Sequence, residues 1–461
     1  MSSGSTRGAA LAVATELARA GHRALFAGGC VRDRLLGRTP GDHDVATSAT
    51  PEQVEALFPR SLTVGARFGV VVVPVDDGGG GDGDRGSNVE VATFRADGRY
   101  VDGRRPEGVV FSDPPTDAAR RDFTVNGLFE DPFTGEVLDY VGGRADLTAR
   151  LLRAIGDPEA RFREDHLRLL RAVRFAVRLG FAIEPATLKA IRRLAPLAAD
   201  VSAERTRDEL VKILVDGRGR ALRWLHRTGL LPVVLPEIAA MRGVPQPPQY
   251  HPEGDVFVHT ALVLDNLVLD GLDAEAAEDV VLGALFHDVA KPPTRTVDAT
   301  GRIRFNGHDS LGEEMSLAIG ERWKLPRRRI DRVADLVGTH MTFPNLPNMR
   351  RHKLREFLGA PDLPLHLVLH RADCGASHGD VSLAEFCETQ LDAFRSEPVL
   401  PPPLVTGADL RAAGYAQGPR MGALLRWLRT EQLDGRLASR DDAVRRVLTS
   451  YPPDATEVPP T

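Results

Sequence analysis

Lysine is almost missing from this chain of 461 residues: it stands only at positions 189, 212, 291, 324 and 353, so arginine carries nearly all the positive charge. A GC-rich coding bias is the simplest source of that skew. Cysteine is scarcer still. Cys30, Cys374 and Cys387 are three, odd in number and unclustered, which excludes a disulfide framework and a cysteine-based zinc site and points to a reducing, cytoplasmic compartment. No apolar run reaches the roughly 18 residues that a membrane-spanning helix needs. The alanine- and leucine-rich start is interrupted by Glu16, Arg19 and Arg23, and it reads as a first helix rather than a secretory leader. Nor is there an excess of positive charge, since the formal net charge is −5.

What is present is a globular composition, 42% hydrophobic and 27% charged, with a length that suits about three domains. The arginines gather locally, at 99–105, 120–121, 161–178, 192–193 and 327–332, and local patches of this kind serve a polyanion whatever the net charge. Short apolar runs at 24–27, 44–47, 62–64, 70–75 and 89–94 read as strands. Residues 76–88, with four consecutive glycines, read as a flexible, exposed insertion joining two strands. From Pro158 the pattern turns helical, with no convincing strand. Proline-rich stretches at 245–249 and 398–403 mark boundaries. The expected class is α+β: a mixed α/β head over 1–150, an all-α neck and body over 151–245, an all-α domain over 246–397 and a helical tail over 398–461.

Asp42 and Asp44 follow the pair Gly28-Gly29 and a short helix-like stretch. Residues i and i+2 of a strand share a face, so two carboxylates there supply hard oxygen ligands to a divalent ion. Paired glycines let main-chain N–H groups approach phosphate. The combination suits nucleotidyl transfer, in which metal activates a hydroxyl and clamps the attacking and leaving oxygens. Glu90, a charge inside the apolar run 89–94, is the candidate third carboxylate; the alternative is an exposed edge charge. Farther on, positions 165, 168, 171 and 174 recur at a spacing of three beside the apolar stripe Leu167, Leu170, Val173 and Val177. One ridge then carries Asp165, Arg168, Arg171 and Arg174, whose donors and acceptors match the edge of a base. A solvated, salt-bridged face is the competing reading.

Three stretches, Gly28 to Asp44, Arg120-Arg121-Asp122-Phe123-Thr124-Val125-Asn126 and Glu164 to Phe175, together resemble the nucleotidyltransferases that build or repair the 3′ end of tRNA, with their relatives the bacterial poly(A) polymerases. The resemblance runs from about Ala24 to Ile238. It implies a polymerase β-like nucleotidyltransferase head that adds C and A to the 3′ end of tRNA from CTP and ATP. Asp42, Asp44 and Glu90 would then be catalytic, with Mg²⁺ on the aspartates, and Gly28, Gly29, Arg32, Arg121, Asp165, Arg168, Arg171 and Arg174 would bind nucleotide. Asp165 and Arg168 would distinguish C and A from G and U. The basic stretch 95–106 resembles the mobile loop that switches the pocket from C to A. A poly(A) polymerase or an A-adding enzyme shares the same head motifs.

A second series lies beyond residue 246: His259, His287-Asp288, His308, His340 and Asp373, on segments that read as helices, with Lys291 one helical turn after Asp288. Imidazoles and carboxylates in this mixture suit one or two transition-metal or Mg²⁺ ions that activate water against a phosphoester. The series resembles the HD phosphohydrolases. That resemblance implies His259, His287, Asp288 and Asp373 as metal ligands, with His308 and His340 as further ligands or phosphate contacts. A function of a different class is therefore a metal-dependent phosphohydrolase acting on RNA ends or nucleotides. No membrane partner is expected, and oligomeric state stays open.

Overall fold

The computed structural model describes residues 3–62, 69–75, 87–98, 103, 108–394 and 398–459. The chain folds as two compact units, Met1–Ala240 and Met241–Thr461.

In the first unit, β1 (Ala24–Ala27), β2 (Val45–Thr47), β3 (Val70–Val75) and β4 (Ser87–Thr93) come before the short strands β5 (Arg95–Asp97) and β6 (Val109–Phe111). They are followed by β7 (Leu128–Glu130) and β8 (Val137–Asp139). Six of the eight form one sheet in the order β3-β4-β2-β1-β7-β8. Only β2 and β4 run parallel within it. Every residue of β1, β2 and β7 is buried, as expected of central strands covered on both faces. Leu25, Ala27, Ala46, Phe94, Ala118 and Phe129 form one cluster of that core. The remainder of the unit is mostly helical, with Leu167–Leu179 packed against the long helix Ala203–Arg227. Glycine at 143 is a packing requirement: a Cβ there would meet the Thr124 carbonyl oxygen at 2.3 Å, so the turn Thr124–Asn126 can settle close against it.

Several boundaries depart from the sequence reading. The second strand starts at Val45, leaving Asp42 and Asp44 just ahead of it, although the Asp44 carbonyl still accepts the Ala27 N–H at 3.1 Å. Of the run 62–64, Leu62 makes an isolated bridge to Val72, and 63–68 lie outside the described residues. In the insertion 76–88, Ser87 and Asn88 belong to β4; 76–86 lie outside the description. The stretch 95–106 is not wholly loop, because Arg95–Asp97 pairs with Val109–Phe111; 99–102 and 104–107 lie outside the description. Small strands also occur beyond 158, at Ala182–Ile183 against Leu151–Leu152 and at Thr296–Val297 against Ile303–Arg304.

Among the described residues of the second unit, the regular structure is helical apart from that hairpin. Helices Val256–Asn266, Ala274–Phe286, His308–Arg322, Arg327–Thr339 and Leu363–Ala376 surround the histidine series. Near the C-terminus, helices Gly407–Ala412, Pro419–Leu433 and Arg440–Ser450 enclose a core containing Leu410, Leu424, Leu428 and Val447. All three cysteines are free and buried. Among the described residues no helix is long and apolar enough to cross a membrane.

Candidate functional site

Gly28 has φ +71°, and a Cβ on it would stand 2.8 Å from Arg121 Nη1. Glycine is therefore required twice, by the left-handed turn and by the close approach of that arginine. The turn opens a cavity of about 540 Å³ lined by Gly28, Gly29, Arg32, Asp42, Asp44, Arg121, Asp165, Arg168, Arg171 and Arg174. Ten of the residues singled out in the first unit thus share one space. Glu90 is not in its lining, but β2 and β4 pair Val45 with Val91, so Glu90 stands beside Asp44 one residue back along both strands. Its charge acts there. Burial, then the charges of Asp42 and Glu90, push the Asp44 carboxyl up to about 7 against the pull of Arg121.

The arginines are held by a second layer of acceptors. Arg121 is fixed by Asp117, at 2.9 Å from Nη2 and 3.1 Å from Nε, and it lies over the Phe129 ring. Arg32 donates to Asp33 at 2.7 Å and to Asn126 Oδ1 at 2.6 Å. Asp122 takes Arg171 Nε at 2.9 Å, and Glu209 takes Arg174 Nη1 at 2.9 Å. The guanidiniums of Arg32, Arg171 and Arg174 all sit within 5.4 Å of the Phe175 ring centre, a cation–π contact shared three ways.

The expected ridge is not one helix. Helix Pro158–Glu164 ends at Asp165, which has extended backbone (φ −139°, ψ 107°), and the next helix begins at Leu167. Asp165 therefore precedes the ridge on which Arg168, Arg171 and Arg174 stand. Its carboxylate accepts Arg205 Nη2 at 3.2 Å. Arg168 donates to Glu164 at 2.6 Å and to the carbonyls of Arg161 and Arg120. Asp117, Asp122, Asn126 and Arg205 were not singled out from the sequence. The i, i+4 spacing of Asp117 and Arg121 was a readable signal, whereas nothing local ties Arg205 to Asp165.

The second series converges completely. His259 Nε2 lies 3.0 Å from Asp373 Oδ1 and 3.7 Å from Asp288 Oδ2, and His287 Nε2 lies 3.3 Å from Asp288 Oδ2. On the other carboxylate oxygen, His308 Nε2 and His340 Nε2 stand 3.6 and 4.0 Å from Asp288 Oδ1. The facing ring nitrogens are close, 3.3 Å for His259–His287 and 3.2 Å for His308–His340. Their tautomers follow from their other contacts. Nδ1 of His287, His308 and His340 touches the carbonyl oxygens of Ala284, Phe305 and Val337 at 2.8, 2.7 and 2.6 Å, and a carbonyl only accepts, so each Nδ1 carries its proton. The Nε2 lone pairs then point at one another and at a carboxylate. Acceptors that face acceptors call for a cation, and the donor set fits a divalent ion.

Electrostatics agree with that fit. Burial alone would lower His259, but hydrogen bonds to Asp373 and Glu253 and the charge of Asp288 raise it to about 9, putting a proton where a cation would stand. Burial and the charge of His287 lower His340 to about 4. Despite burial, Asp288 is held well below the usual carboxylate range by His287 and Lys291, whose Nζ is 2.7 Å from Oδ2. The cluster opens on a cavity of about 570 Å³ walled partly by Tyr250, His251, Phe305 and Met341. His251 and Glu253 carried no signal in the sequence beyond their residue type.

Three known protein families match separate stretches of the chain. Residues 24–153 match the family described as the poly A polymerase head domain. Residues 180–242 match the probable RNA and SrmB-binding site of polymerase A, and 256–374 match the HD domain. The CCA-adding enzyme of Geobacillus stearothermophilus is 46% identical over 223 residues, 48% of this chain and 53% of its own length. That of Bacillus subtilis is 45% identical over 220 residues, 48% and 52%. The chain spans about half the length of the curated relatives it matches. Over its solved structure with CTP, the Bacillus stearothermophilus CCA-adding enzyme is 28% identical with TM-score 0.71, covering 96% of this chain and 98% of that one. The Thermotoga maritima CCA-adding enzyme, solved with tRNA, shares the fold at 18% identity and TM-score 0.56, covering 96% and 94%.

The raised Asp44 carboxyl sets a pH dependence. Only the charged form ligates a cation, so below about pH 7 binding must expel a proton. If Asp42 and Asp44 hold a divalent ion, its affinity should be flat above that pH and fall by up to about tenfold per unit below it. Manganese titration between pH 5.5 and 8.5, followed by electron paramagnetic resonance in a His287→Ala/Asp288→Ala background, measures this; a constant affinity across the range contradicts it.

Proposed function

We propose that this chain, which belongs to the tRNA nucleotidyltransferase and poly(A) polymerase family, adds C and A to the 3′ end of tRNA using CTP and ATP, without a nucleic-acid template. The observation that carries the reading is the single cavity in which Asp42 and Asp44 face Arg121, Asp165 and Arg168 across about 540 Å³. The crowding of carboxylates on Asp44 fits the divalent-metal dependence that the family implies, and Mg²⁺ is the ion proposed. Bound there, it would supply Lewis acidity to the triphosphate and to the attacking hydroxyl.

The chain's own residues do the rest. Asp42 and Asp44 would hold the ion, with Glu90 adding negative charge beside them. Arg121 would meet the triphosphate, its guanidinium kept in place by Asp117, and Gly28 and Gly29 leave room for main-chain N–H groups to approach it. Arg32, Arg171 and Arg174, held around Phe175, add positive potential to the same wall. Asp165 and Arg168 would read the base edge. Arg205 and Glu164 fix these two side chains in advance, which spares the ordering cost on binding. A poly(A) polymerase or A-adding activity would use the same residues. Incubation with a truncated tRNA and CTP, ATP or both, followed by sizing of the products, separates them: two nucleotides with CTP and a third with ATP support this reading, whereas a long ATP-only tail supports the alternative.

A second reading rests on the histidine cluster. His259, His287 and Asp373 on one side of Asp288, and His308 and His340 on the other, would hold one or two divalent ions. Metal there would activate water for phosphoester hydrolysis, with Lys291 beside Asp288 and nucleotides or RNA ends as substrates.

Three outcomes follow. Asp42→Ala or Asp44→Ala should abolish incorporation with the fold intact, since losing the ion forfeits several kcal/mol of transition-state stabilisation; near-parental turnover at saturating Mg²⁺ would refute the assignment. Asp165→Ala or Arg168→Ala should raise misincorporation of UTP or GTP by about tenfold or more, the worth of a base-edge contact of roughly 1–3 kcal/mol, and unchanged base preference in both reduces them to ion pairs. His287→Ala/Asp288→Ala should strip metal from the second unit and end its hydrolysis while incorporation survives, checked by elemental analysis beside both assays.

A further inference from the structure

Three of the four clustered histidines sit at helix ends. His287 follows Ala274–Phe286 and His340 follows Arg327–Thr339, where last-turn carbonyls are free to take their Nδ1 protons, and His308, first in its helix, uses the carbonyl of Phe305 in the preceding loop. His259 has no such partner. It lies within the helix Val256–Asn266, where the carbonyls are already engaged by the helix itself.

Glu253 fills the gap. Gly254 takes φ +132°, and Asp255 pins the turn by accepting the N–H groups of Val258 at 2.8 Å and Gly243 at 2.7 Å. The chain so folded brings Glu253 back over the first turns of the helix. Its Oε1 lies 2.7 Å from His259 Nδ1 and 2.9 Å from His251 Nδ1. The Glu253 side chain is only 7% exposed, and Oε2 is buried without a hydrogen bond. Burying a carboxylate half-satisfied is costly. The His251 ring stands edge-on to His259, centres 4.8 Å apart at 80°, and walls the cavity beside Asp288.

We infer that Glu253 is the positioning residue of the metal centre, fixing the proton of His259 on Nδ1 so that its Nε2 lone pair faces Asp288 and Asp373, and fixing His251 in the cavity wall through the same oxygen. The inference rests on reading the cluster as a metal centre. The negative charge of Glu253 makes Nε2 a stronger donor as well as orienting it, and the loss of such a carboxylate typically weakens metal binding roughly 10- to 100-fold. His251 turns its Nδ1 to Glu253 rather than to Asp288 or Asp373, and its ring stands in the cavity wall.

Cobalt titration of the 461-residue chain, followed by visible absorption, reports imidazole ligation directly. The wild type should bind Co²⁺, Glu253→Ala should need roughly 10 to 100 times more, Glu253→Gln should fall between, and His251→Ala should match the wild type within about twofold. Melting of the metal-free proteins is followed in parallel; if Glu253→Ala is unfolded, the isosteric Glu253→Gln decides. Wild-type Co²⁺ affinity in a folded Glu253 variant overturns the inference, as does an equal loss in His251→Ala, which would mark general loosening of the turn. A wild type that takes up no Co²⁺ fails the metal-centre reading instead, and the two failures are told apart by that first titration.

Discussion

The buried carboxylate of Asp122 joins the parts of the first unit that must meet for any chemistry to occur there. One oxygen accepts the Phe123 N–H at 2.8 Å and Asn126 Nδ2 at 3.0 Å, the other accepts Arg171 Nε at 2.9 Å. Asn126 Oδ1 passes the chain on to Arg32 Nη1 at 2.6 Å. The helix that carries the arginine row, the turn Thr124–Asn126 and the helix after the paired glycines are thereby tied by side chains, beyond the sheet. Burial works against the charge, yet Arg171 and Asn126 hold the Asp122 carboxyl below its ordinary range. Removing one member of a buried pair leaves the other unpaired and costs about 3–5 kcal/mol. The cavity wall is thus rigid where it must present guanidiniums at fixed spacing.

Both units apply the same physical device to opposite charge environments. An outer layer of acceptors spends the hydrogen-bonding capacity of the functional groups on their far side and leaves the near side unsatisfied. In the first unit Asp117, Asp122, Asn126 and Glu209 orient arginines; in the second, three carbonyls and Glu253 orient imidazoles. Preorganisation of this kind is paid for in folding rather than at binding.

Much of this was legible in the sequence because it depends on residue type at short spacing. The glycine pair, Asp42 and Asp44, and the row Arg168, Arg171, Arg174 were all placed in one cavity, and the five histidine-series elements beyond 246 came together without exception. The head strands were found where short apolar runs were unbroken, as at Ala24–Ala27 and Val70–Val75. What was misread depends on geometry that spacing does not carry. Asp165 follows the periodicity of its neighbours, yet the backbone turns extended there and Arg205, forty residues on, holds its carboxylate. Arg95–Asp97 lacks strand periodicity and is paired by Val109–Phe111 all the same, a tertiary override of local preference. Glu253 sits among proline and glycine, where composition signals only a turn.

The two centres answer acid differently, and the difference bears on how each would acquire its ion. Burial, followed by the charges of Asp42 and Glu90, lifts Asp44 to about 7 even with Arg121 pulling the other way, so the head carboxylates stay poised for further positive charge. Asp288 has His287, Lys291 and His259 around it and stays ionised well into acid. The second cluster therefore neutralises itself and can be assembled before any ligand comes. The head cannot do so with two exposed or half-exposed aspartates. Magnesium, which sheds its water reluctantly and is usually held by one or two carboxylates together with substrate phosphates, suits a site of that sort: on the proposed reading the triphosphate brings the remaining oxygen ligands, and the arginine wall around Phe175 offsets the charge that arrives with them. Metal and nucleotide would then bind as a unit, and the burial and neighbouring charges that raise Asp44 in their absence would favour joint occupancy over either partner alone.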